Sequence, residues 1–341
     1  MSEQLHPVAA LREIAYLMER VLADSRRVRA FRTAADAVAA LPPEEFARHA
    51  AAGTWRDLRG VGDSTAAVIT QALAGRVPDR LAALRAEAGP LATGGEELLA
   101  ALRGDLHTHT DWSDGGAPIE QSRAAAAALG HEYLAITDHS PRLTVANGLS
   151  PERLRAQLAR LEELNSEPGC RLLTGIEVDI LADGGLDQAP ELLSALDVVV
   201  ASVHSELRMP ADAMTRRMVA AVANPNTDVL GHCTGRLITG GRGTRPQSHF
   251  DAEVVFEACR HFGVAVEINS RPERADPPDD LLALALEVGC LFAIDSDAHA
   301  PGQLEFPAHG AARAAAAGVP AERVVNTWPL EQLLAWRGGR S

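Results

Sequence analysis

The sequence of 341 residues contains no lysine, and this absence excludes two kinds of chemistry. Without an ε-amino group the chain cannot form a Schiff base between a lysine side chain and a carbonyl substrate. It also lacks the lysine that often binds phosphate as a point charge. Arginine or metal ions must therefore provide the positive charge for any phosphate group that the protein binds.

Cysteine and long apolar segments are also scarce. The four cysteines, Cys170, Cys233, Cys259 and Cys290, have no CxxC spacing, which argues against a disulfide framework and a thiolate zinc site. No apolar run is long enough to span a membrane, and the N-terminus lacks the basic and then apolar order of a secretion signal. We therefore expect a cytoplasmic protein. Because 46% of the residues are hydrophobic, we expect one large and one small domain with substantial cores.

The net charge of −14 is distributed unevenly along the chain. Residues 1–103 contain 13 arginines and 13 acidic residues, whereas the remainder contains 19 arginines and 33 acidic residues. An acidic domain repels nucleic acid unless bound cations offset its charge. Any contact with a nucleic-acid backbone is therefore expected from the N-terminal part of the chain or through metal ions.

Residues 1–90 are predicted to form a small helical domain. Apolar residues recur there at helical spacing, as at Leu11, Ile14, Met18 and Val21 and again between residues 28 and 38. The segment Gly60-Val61-Gly62 then predicts a turn that directs backbone N–H groups toward a phosphate. The alternative is a turn whose glycines serve only the backbone geometry. Residues 91–103, which lack aromatic side chains and include Gly94 and Gly95, are predicted to be a linker.

From residue 104 onward, short apolar or β-branched runs alternate with helical stretches. The runs cover residues 105–107, 133–138, 172–177, 198–202, 228–231, 264–269 and 291–295. About seven such strand and helix units favour a parallel α/β barrel over an open doubly wound sheet. Barrel enzymes carry their catalytic groups at the C-terminal ends of the strands, so the residues that follow these runs are the candidates for a functional site.

The predicted strand ends carry most of the candidate metal ligands. They are His107, His109, His139, Glu177, His204, His232, Asp297 and His299. One His-x-His pair alone also fits two residues on one side of a strand. Repetition after several strands favours a metal cluster over a structural polar network, because so many imidazoles and carboxylates are costly to bury without cations. Two metal ions in such a cluster suit phosphoester hydrolysis, and Glu177 is suited to bridge them because a carboxylate has two oxygens.

The order of these residues resembles the motifs of the polymerase and histidinol phosphatase (PHP) family. The motifs are Asp105-Leu106-His107-Thr108-His109, Ser113-Asp114-Gly115, Thr137-Asp138-His139, Gly175-Ile176-Glu177, Val203-His204-Ser205, Gly231-His232 and Asp295-Ser296-Asp297-Ala298-His299. The resemblance covers residues 104–338. It implies a distorted (β/α)7 barrel, similar to a TIM barrel, with about two to three divalent ions of manganese, zinc or iron.

By position, the resemblance assigns three sets of metal ligands. They are His107, His109, Glu177 and Asp297 for one metal, Glu177, His204 and His232 for a second, and Asp114, His139 and His299 for a third. Within these sets, Glu177, His204 and Asp297 are expected to be central to catalysis by a metal-activated hydroxide. Arg236 and Arg274 are expected to bind the substrate phosphate; the alternative is that they form ion pairs with neighbours such as Glu273 or Asp276.

Within this family the sequence is most similar to bacterial family X DNA polymerases that carry a C-terminal PHP domain. Their first helical domain, which has a helix-hairpin-helix motif, resembles the N-terminal part of this chain and implies contacts with DNA ends. The residues concerned are Arg26, Arg27, Arg29, Gly60, Gly62 and Ser64. The polymerase domain between the two parts is absent, which excludes polymerisation, and the absence of lysine excludes lysine-dependent sugar-phosphate lyase activity.

The expected function is therefore hydrolysis of phosphoester bonds, as a 3′ to 5′ exonuclease or a 3′-end processing enzyme on DNA. One alternative is a small-molecule phosphatase, similar to histidinol phosphatase or to nucleotide phosphatases, that acts on a phosphate monoester. A second alternative is a scaffold without activity that binds DNA ends. The sequence indicates neither a membrane partner nor an obligate protein partner.

Overall fold

The structure is a computed structural model that describes residues 5–241 and 243–338. The chain forms two compact units, which divide between Pro90 and Leu91. Residues 1–4, at the start of the predicted helical domain, lie outside the described residues. Across the described ranges no helix combines the length and the apolar character that a membrane span requires.

The first unit is helical. Its helices are α1 (Pro7–Arg20), α2 (Ser25–Ala39), α3 (Pro43–Ala52), α4 (Asp63–Leu73) and α5 (Asp79–Glu87), with one turn of 3-10 helix at Trp55–Asp57. The predicted helical spacing is observed, because Leu11, Ile14 and Met18 are completely buried on one face of α1. Val21 departs from the pattern and is 60% exposed, because α1 ends at Arg20.

The predicted glycine turn lies immediately before α4. Gly60 has a φ of +91°, a value that side chains disfavour, and a Cβ atom there would lie 2.6 Å from the methyl group of Thr33 on α2. The Val61 N–H donates to the Leu58 carbonyl at 3.1 Å. The Gly62 N–H donates to the Thr65 hydroxyl at 3.0 Å. The amide of Gly62 is therefore hydrogen-bonded within the turn.

The second unit is a barrel of seven parallel strands, and it confirms the predicted fold class. The strands are β1 (Gly104–Asp105), β2 (Tyr133–Ile136), β3 (Arg171–Asp179), β4 (Val198–Ser202), β5 (Val229–Leu230), β6 (Ala265–Asn269) and β7 (Leu291–Asp295). They pair in chain order from β1 to β7. The remaining gap between β7 and β1 is crossed just beyond the strand ends by a parallel bridge between Thr108 and Ala298, so the barrel is nearly closed.

Helices surround the strands. They are α6 (Glu96–Ala101), α7 (Ile119–Ala128), α8 (Pro151–Asn165), α9 (Pro190–Leu193), α10 (Ala211–Val222), α11 (Ala252–Phe262), α12 (Asp279–Val288), α13 (Pro307–Ala316) and α14 (Leu330–Gly338). The first of them lies within the predicted linker. Leu98 of α6 is buried in the core between helices and strands, and a Cβ atom at Gly95 would lie 2.5 Å from the Ala311 backbone. Part of residues 91–103 is thus a packed element of the barrel unit, because Leu98 buries its apolar side chain there.

Alternate residues of each strand face either the helices or the barrel interior. On β3, Ile176 and Val178 pack in the outer core, whereas Leu173 packs inside the barrel. Because side chains alternate along a strand, Glu177 shares the interior side with Leu173. We call the end of the barrel at which the strands finish the upper end and the opposite end the lower end. The interior therefore changes from apolar side chains below to charged side chains above.

Candidate metal centre

The upper end of the barrel brings the predicted ligands together. Glu177 lies near the end of β3, whereas the other residues follow strand ends: His107 and His109 after β1, His139 after β2, His204 after β4, His232 after β5, and Asp297 and His299 after β7. Most of these side chains are buried. Parallel strands finish at the same end of a barrel, so residues distant in sequence converge there.

Glu177 lies at the centre of this group, and its two carboxylate oxygens face different histidines. Oε2 lies 3.4 Å from His107 Nε2 and 3.5 Å from His109 Nε2, and 2.8 Å from His139 Nδ1. Oε1 lies 2.8 Å from His232 Nε2 and 3.2 Å from His204 Nε2. The carboxylate therefore divides five imidazoles into two sets, which is the arrangement required of a ligand that bridges two cations.

A third set lies nearer the rim of the barrel. Asp114 Oδ1 is 3.5 Å from His139 Nε2 and 3.4 Å from His299 Nε2. The Asp114 and His299 side chains are 26% and 23% exposed, whereas the Glu177 side chain is only 1% exposed. Asp297 lies between this set and the centre, with Oδ1 3.4 Å from His109 Nε2. His139 contacts both Glu177 and Asp114, so the sets are contiguous.

Two buried carboxylates fix the orientation of histidines in the centre. Glu267 Oε1 lies 2.6 Å from His107 Nδ1, and Asp179 Oδ1 is hydrogen-bonded to His204 Nδ1. A carboxylate only accepts hydrogen bonds when ionised, so each Nδ1 carries the proton and each Nε2 of a neutral ring presents a lone pair to Glu177. A lone pair facing a carboxylate oxygen is repulsive unless a cation lies between them.

Without a cation, the carboxylates of the centre favour protonated rings, whereas burial opposes the charge. Burial opposes a charge on His204, but Glu177 and Asp179 outweigh it and raise the pKa of His204 to about 9. Burial raises the pKa of Glu177, yet the neighbouring histidines hold it well below its usual range. For His109, burial together with the neighbouring His299 and His139 lowers the pKa to about 3. In the absence of a cation, protons on some of the rings must balance the carboxylates, and metal binding would displace these protons.

The donor atoms fit divalent metal ions. His107 Nε2, His109 Nε2 and Glu177 Oε2 are buried and have no hydrogen-bond partner among the described residues. In three overlapping groups the possible ligand atoms lie within 4.8 Å of one another: His109, Asp114, His139 and His299; His107, His109 and Glu177; His139, Glu177 and His204. Buried polar atoms are rarely left unpaired, and nitrogen and carboxylate donors suit zinc, manganese or iron.

The two predicted phosphate-binding arginines have different environments. Arg274 Nε lies 3.2 Å from Asp297 Oδ2, and its Nη1 is buried without a hydrogen-bond partner among the described residues. Arg236 instead donates from Nε to the Arg274 carbonyl at 3.0 Å and from Nη2 to the Ala275 carbonyl. These contacts place Arg274 beside the centre. Arg236 holds the main chain of the neighbouring segment through these contacts, and among the described residues it forms no ion pair.

Sequence reasoning did not identify three residues that contact the ligands. Asp179 and Glu267 orient His204 and His107, and Arg271 Nη1 lies 3.0 Å from His299 Nδ1. A signal for the first was available, because Asp179 follows Glu177 by two residues on the same strand and so faces the same side. The register between β3 and β4 that brings Asp179 to His204 could not be deduced from the sequence.

The predicted DNA-binding residues all lie in the first unit. Arg26, Arg27 and Arg29 are exposed on the first half of α2. Ser64 is exposed in the first turn of α4. Asp63, the acidic residue at the start of that helix, forms an ion pair with Arg56 at 2.9 Å. Three exposed cationic side chains thus lie on one helix, and the acidic charge of the turn is partly offset.

A nearly closed parallel barrel with clustered histidines and carboxylates at its upper end defines a class of metal-dependent hydrolytic enzymes. Comparisons with known proteins give the family. A helix-hairpin-helix domain model matches residues 3–77, and a PHP domain model matches residues 105–271. The chain belongs to the PHP family, and it is a hydrolase that acts on phosphoester bonds.

Individual relatives match different shares of the chain. It is 37% identical over 239 residues to the DNA polymerase/3′-5′ exonuclease PolX of Bacillus subtilis, in a match that covers 70% of this chain but only 41% of that protein. A probable phosphatase of Thermoanaerobacter sp. is 30% identical over 208 residues, which cover 57% of this chain and 78% of the phosphatase. A crystal structure of histidinol phosphate phosphatase from Lactococcus lactis, with zinc, histidinol and phosphate, has a TM-score of 0.41 and 18% identity, covering 58% of this chain and 87% of that one.

Proposed function

We propose that the chain hydrolyses phosphodiester bonds at DNA 3′ ends, as an exonuclease or end-processing enzyme that depends on divalent metal ions. The observation that carries the chemical part is the division of histidines between the two oxygens of Glu177. The functional division into a helical domain of residues 1–90, a connecting segment of 91–103 and a phosphoesterase domain of 104–338 is part of this proposal.

Three sets of residues would hold the metal ions. They are His107, His109, Glu177 and Asp297; Glu177, His204 and His232; and Asp114, His139 and His299. Bound divalent ions supply Lewis-acid activation of phosphoryl oxygens and of the attacking water. Glu267 and Asp179 keep the protons of His107 and His204 on Nδ1, so that Nε2 of each ring is free to coordinate.

Arg274 would bind the phosphate during hydrolysis. Its Nη1 has no hydrogen-bond partner among the described residues, and its Nε is anchored on Asp297. A guanidinium group donates well to phosphate oxygens, and the anchor limits the conformational freedom of the side chain. Arg236 would act indirectly, by holding the main chain at Arg274 and Ala275.

The DNA part of the proposal rests on the first unit. Arg26, Arg29 and Thr33 are spaced three and four residues apart on α2 and share one face of the helix. Gly60 of the turn packs against Thr33. Arg26, Arg29 and the turn therefore share one side of the unit, where they could bind successive phosphates. The relative in Bacillus subtilis is named as a 3′-5′ exonuclease, which is consistent with this substrate.

A test replaces the arginines without disturbing the barrel. A variant with Arg26→Gln, Arg27→Gln and Arg29→Gln is expected to bind a 3′-recessed duplex more weakly at low salt. Its salt dependence, as the slope of log affinity against log salt, should be about 2 to 3 units shallower. Turnover of a small chromogenic phosphodiester should not change.

The matched control removes the same charge from exposed positions of the barrel, through Arg155→Gln, Arg216→Gln and Arg260→Gln. Equal DNA binding and cleavage by the two triple variants would show that the helical unit does not position DNA. A phosphatase of small molecules would then be the better description. The acidic charge of residues 104–341 and the match to a probable phosphatase over 78% of its length favour that second candidate.

A further inference from the structure

The rim set of Asp114, His139 and His299 differs from the two central sets in how it is built. The central sets include a strand residue, Glu177, with a side chain that is 1% exposed. Asp114 and His299 both lie on loops and are partly exposed. Loop positions are less rigid than strand positions, so the rim set needs other contacts to hold its geometry.

Arg271 provides such contacts to the residue His299. The Nη1 group of Arg271 donates to the Asp297 carbonyl at 2.8 Å and lies 3.4 Å from Gln303 Oε1. His299 uses the same two oxygens, because its Nδ1 lies 2.9 Å from the Asp297 carbonyl and its backbone N–H donates to Gln303 Oε1 at 2.8 Å. Nη1 of Arg271 thus contacts the same two oxygens that lie within hydrogen-bond distance of His299.

Two contacts hold the Nδ1 edge of the His299 ring. This nitrogen lies 2.9 Å from the Asp297 carbonyl and 3.0 Å from Arg271 Nη1. The other ring nitrogen, Nε2, faces Asp114 Oδ1 at 3.4 Å. Arg271 itself is held by Glu273, because its Nε and Nη2 donate to Glu273 Oε2 at 3.1 Å and 3.0 Å.

We infer that Arg271, held by Glu273, is a positioning residue that fixes His299 for a divalent cation at the rim set. The inference rests on the proposed function in that it requires the rim set to bind a metal ion. It predicts that one metal ion is lost before the others, because the Arg271 side chain contacts the ring of His299, whereas its hydrogen bond to the central ligand Asp297 is to the backbone carbonyl and not to the carboxylate.

The test is a titration with manganese of the full chain freed of metal, in which free Mn²⁺ is measured by electron paramagnetic resonance. Arg271→Met should weaken the binding of one ion by about 10- to 100-fold, as expected for loss of a residue that orients a ligand. The remaining ions should bind as in the unchanged protein. Arg260→Met is the matched control, because Arg260 donates from Nε and Nη2 to one oxygen of Glu257 on the exposed surface of α11.

Two further variants separate positioning from other effects. Arg271→Met leaves the Glu273 carboxylate without its partner. The double variant Arg271→Met with Glu273→Gln removes that charge as well, and it should still lose the same ion. Arg271→Lys keeps the charge, and should recover part of the affinity through a single donor; it also serves if the methionine variant does not fold.

Several outcomes would overturn the inference. One is binding of every ion by Arg271→Met with the affinity of the control, and another is loss of all ions together by a variant that remains folded. If the unchanged protein binds the central ions but none at the rim, the inference also fails while the phosphoesterase proposal stands. If the unchanged protein binds no manganese at all, the proposed metal dependence fails as well.

Discussion

The lower and upper halves of the barrel interior are built from the same strands but have opposite chemistry. In the lower half, Leu173, Val200 and Ala293 form an apolar core, against which Leu333 of α14 packs. In the upper half, the same faces of β3 and β7 continue into Glu177 and Asp297, whose buried carboxylates face histidines. A change of residue type over a few positions of a strand thus separates a region that stabilises the fold from a region where charge must be balanced by a bound cation.

The first prediction concerns the upper half alone and has the largest expected effect. Glu177→Gln keeps a carbonyl oxygen but removes the charge that both central sets share. Phosphodiester hydrolysis should fall by more than about 100-fold. Loss of a residue that only hydrogen-bonds to a metal ligand lowers activity by up to about 100-fold, and Glu177 is itself a predicted ligand. Steady-state turnover with saturating manganese measures the effect. Activity within a few-fold of that of the unchanged protein would contradict the claim that the upper half of the barrel depends on the charge of Glu177.

The second prediction concerns the lower half. Leu333→Ala truncates a side chain that is 2% exposed and packs in the lower core, so the free energy of unfolding should fall by about 2–5 kcal/mol. Denaturant unfolding measures it. Metal content and turnover of the folded protein should stay the same. If this change instead removed the metal ions, the two halves would not be independent.

The sequence alone predicted the barrel and the positions of the ligand candidates because both depend on local patterns. Apolar runs such as Val198 to Ala201 indicated strands, and the histidines could be placed by their distance from the strand ends. The role of Asp179 could not be predicted, because its contact with His204 depends on the pairing of two strands. The contacts of Arg236 could not be predicted for a similar reason, since they depend on the position of the carbonyl groups of residues 274 and 275.

The third prediction tests whether the orientation of a histidine ring in the upper half affects metal binding. Asp179→Asn retains the size of the side chain but removes the charge that holds the proton on His204 Nδ1. The affinity for one central metal ion should fall by about 10- to 100-fold. Calorimetric titration with zinc measures this affinity, with Asp183→Asn on the exposed loop that follows β3 as the control. Equal affinities in the two variants would mean that Asp179 has no part in the centre.

The fourth and smallest prediction compares a histidine at each end of the barrel. His131 lies before β2 at the lower end, where burial alone lowers its pKa to about 4, whereas carboxylates raise the pKa of His204 at the upper end. The unfolded chain binds a proton on His131 near pH 6.5, before the folded protein does. The free energy of unfolding should therefore decrease as the pH falls from 6.5 to 4 and be unaffected by this group above pH 6.5.

His131→Gln should reduce that decrease by on the order of 1 kcal/mol, because the ring is partly exposed and solvent screens the effect. Unfolding in urea at pH 7.5 and pH 4.5 provides the comparison. The result would contradict the assignment if the variant and the unchanged protein lost the same stability between the two pH values.

The central claim, that the upper half of the barrel is built around cations, is tested most directly by elemental analysis of the purified protein and its Glu177→Gln variant after equilibration with manganese and removal of free metal. The account predicts about two to three ions per chain in the unchanged protein. It predicts at most about one in the variant, because two sets lose a shared anionic ligand. An unchanged protein without bound metal, or equal metal contents in the two proteins, would contradict the account.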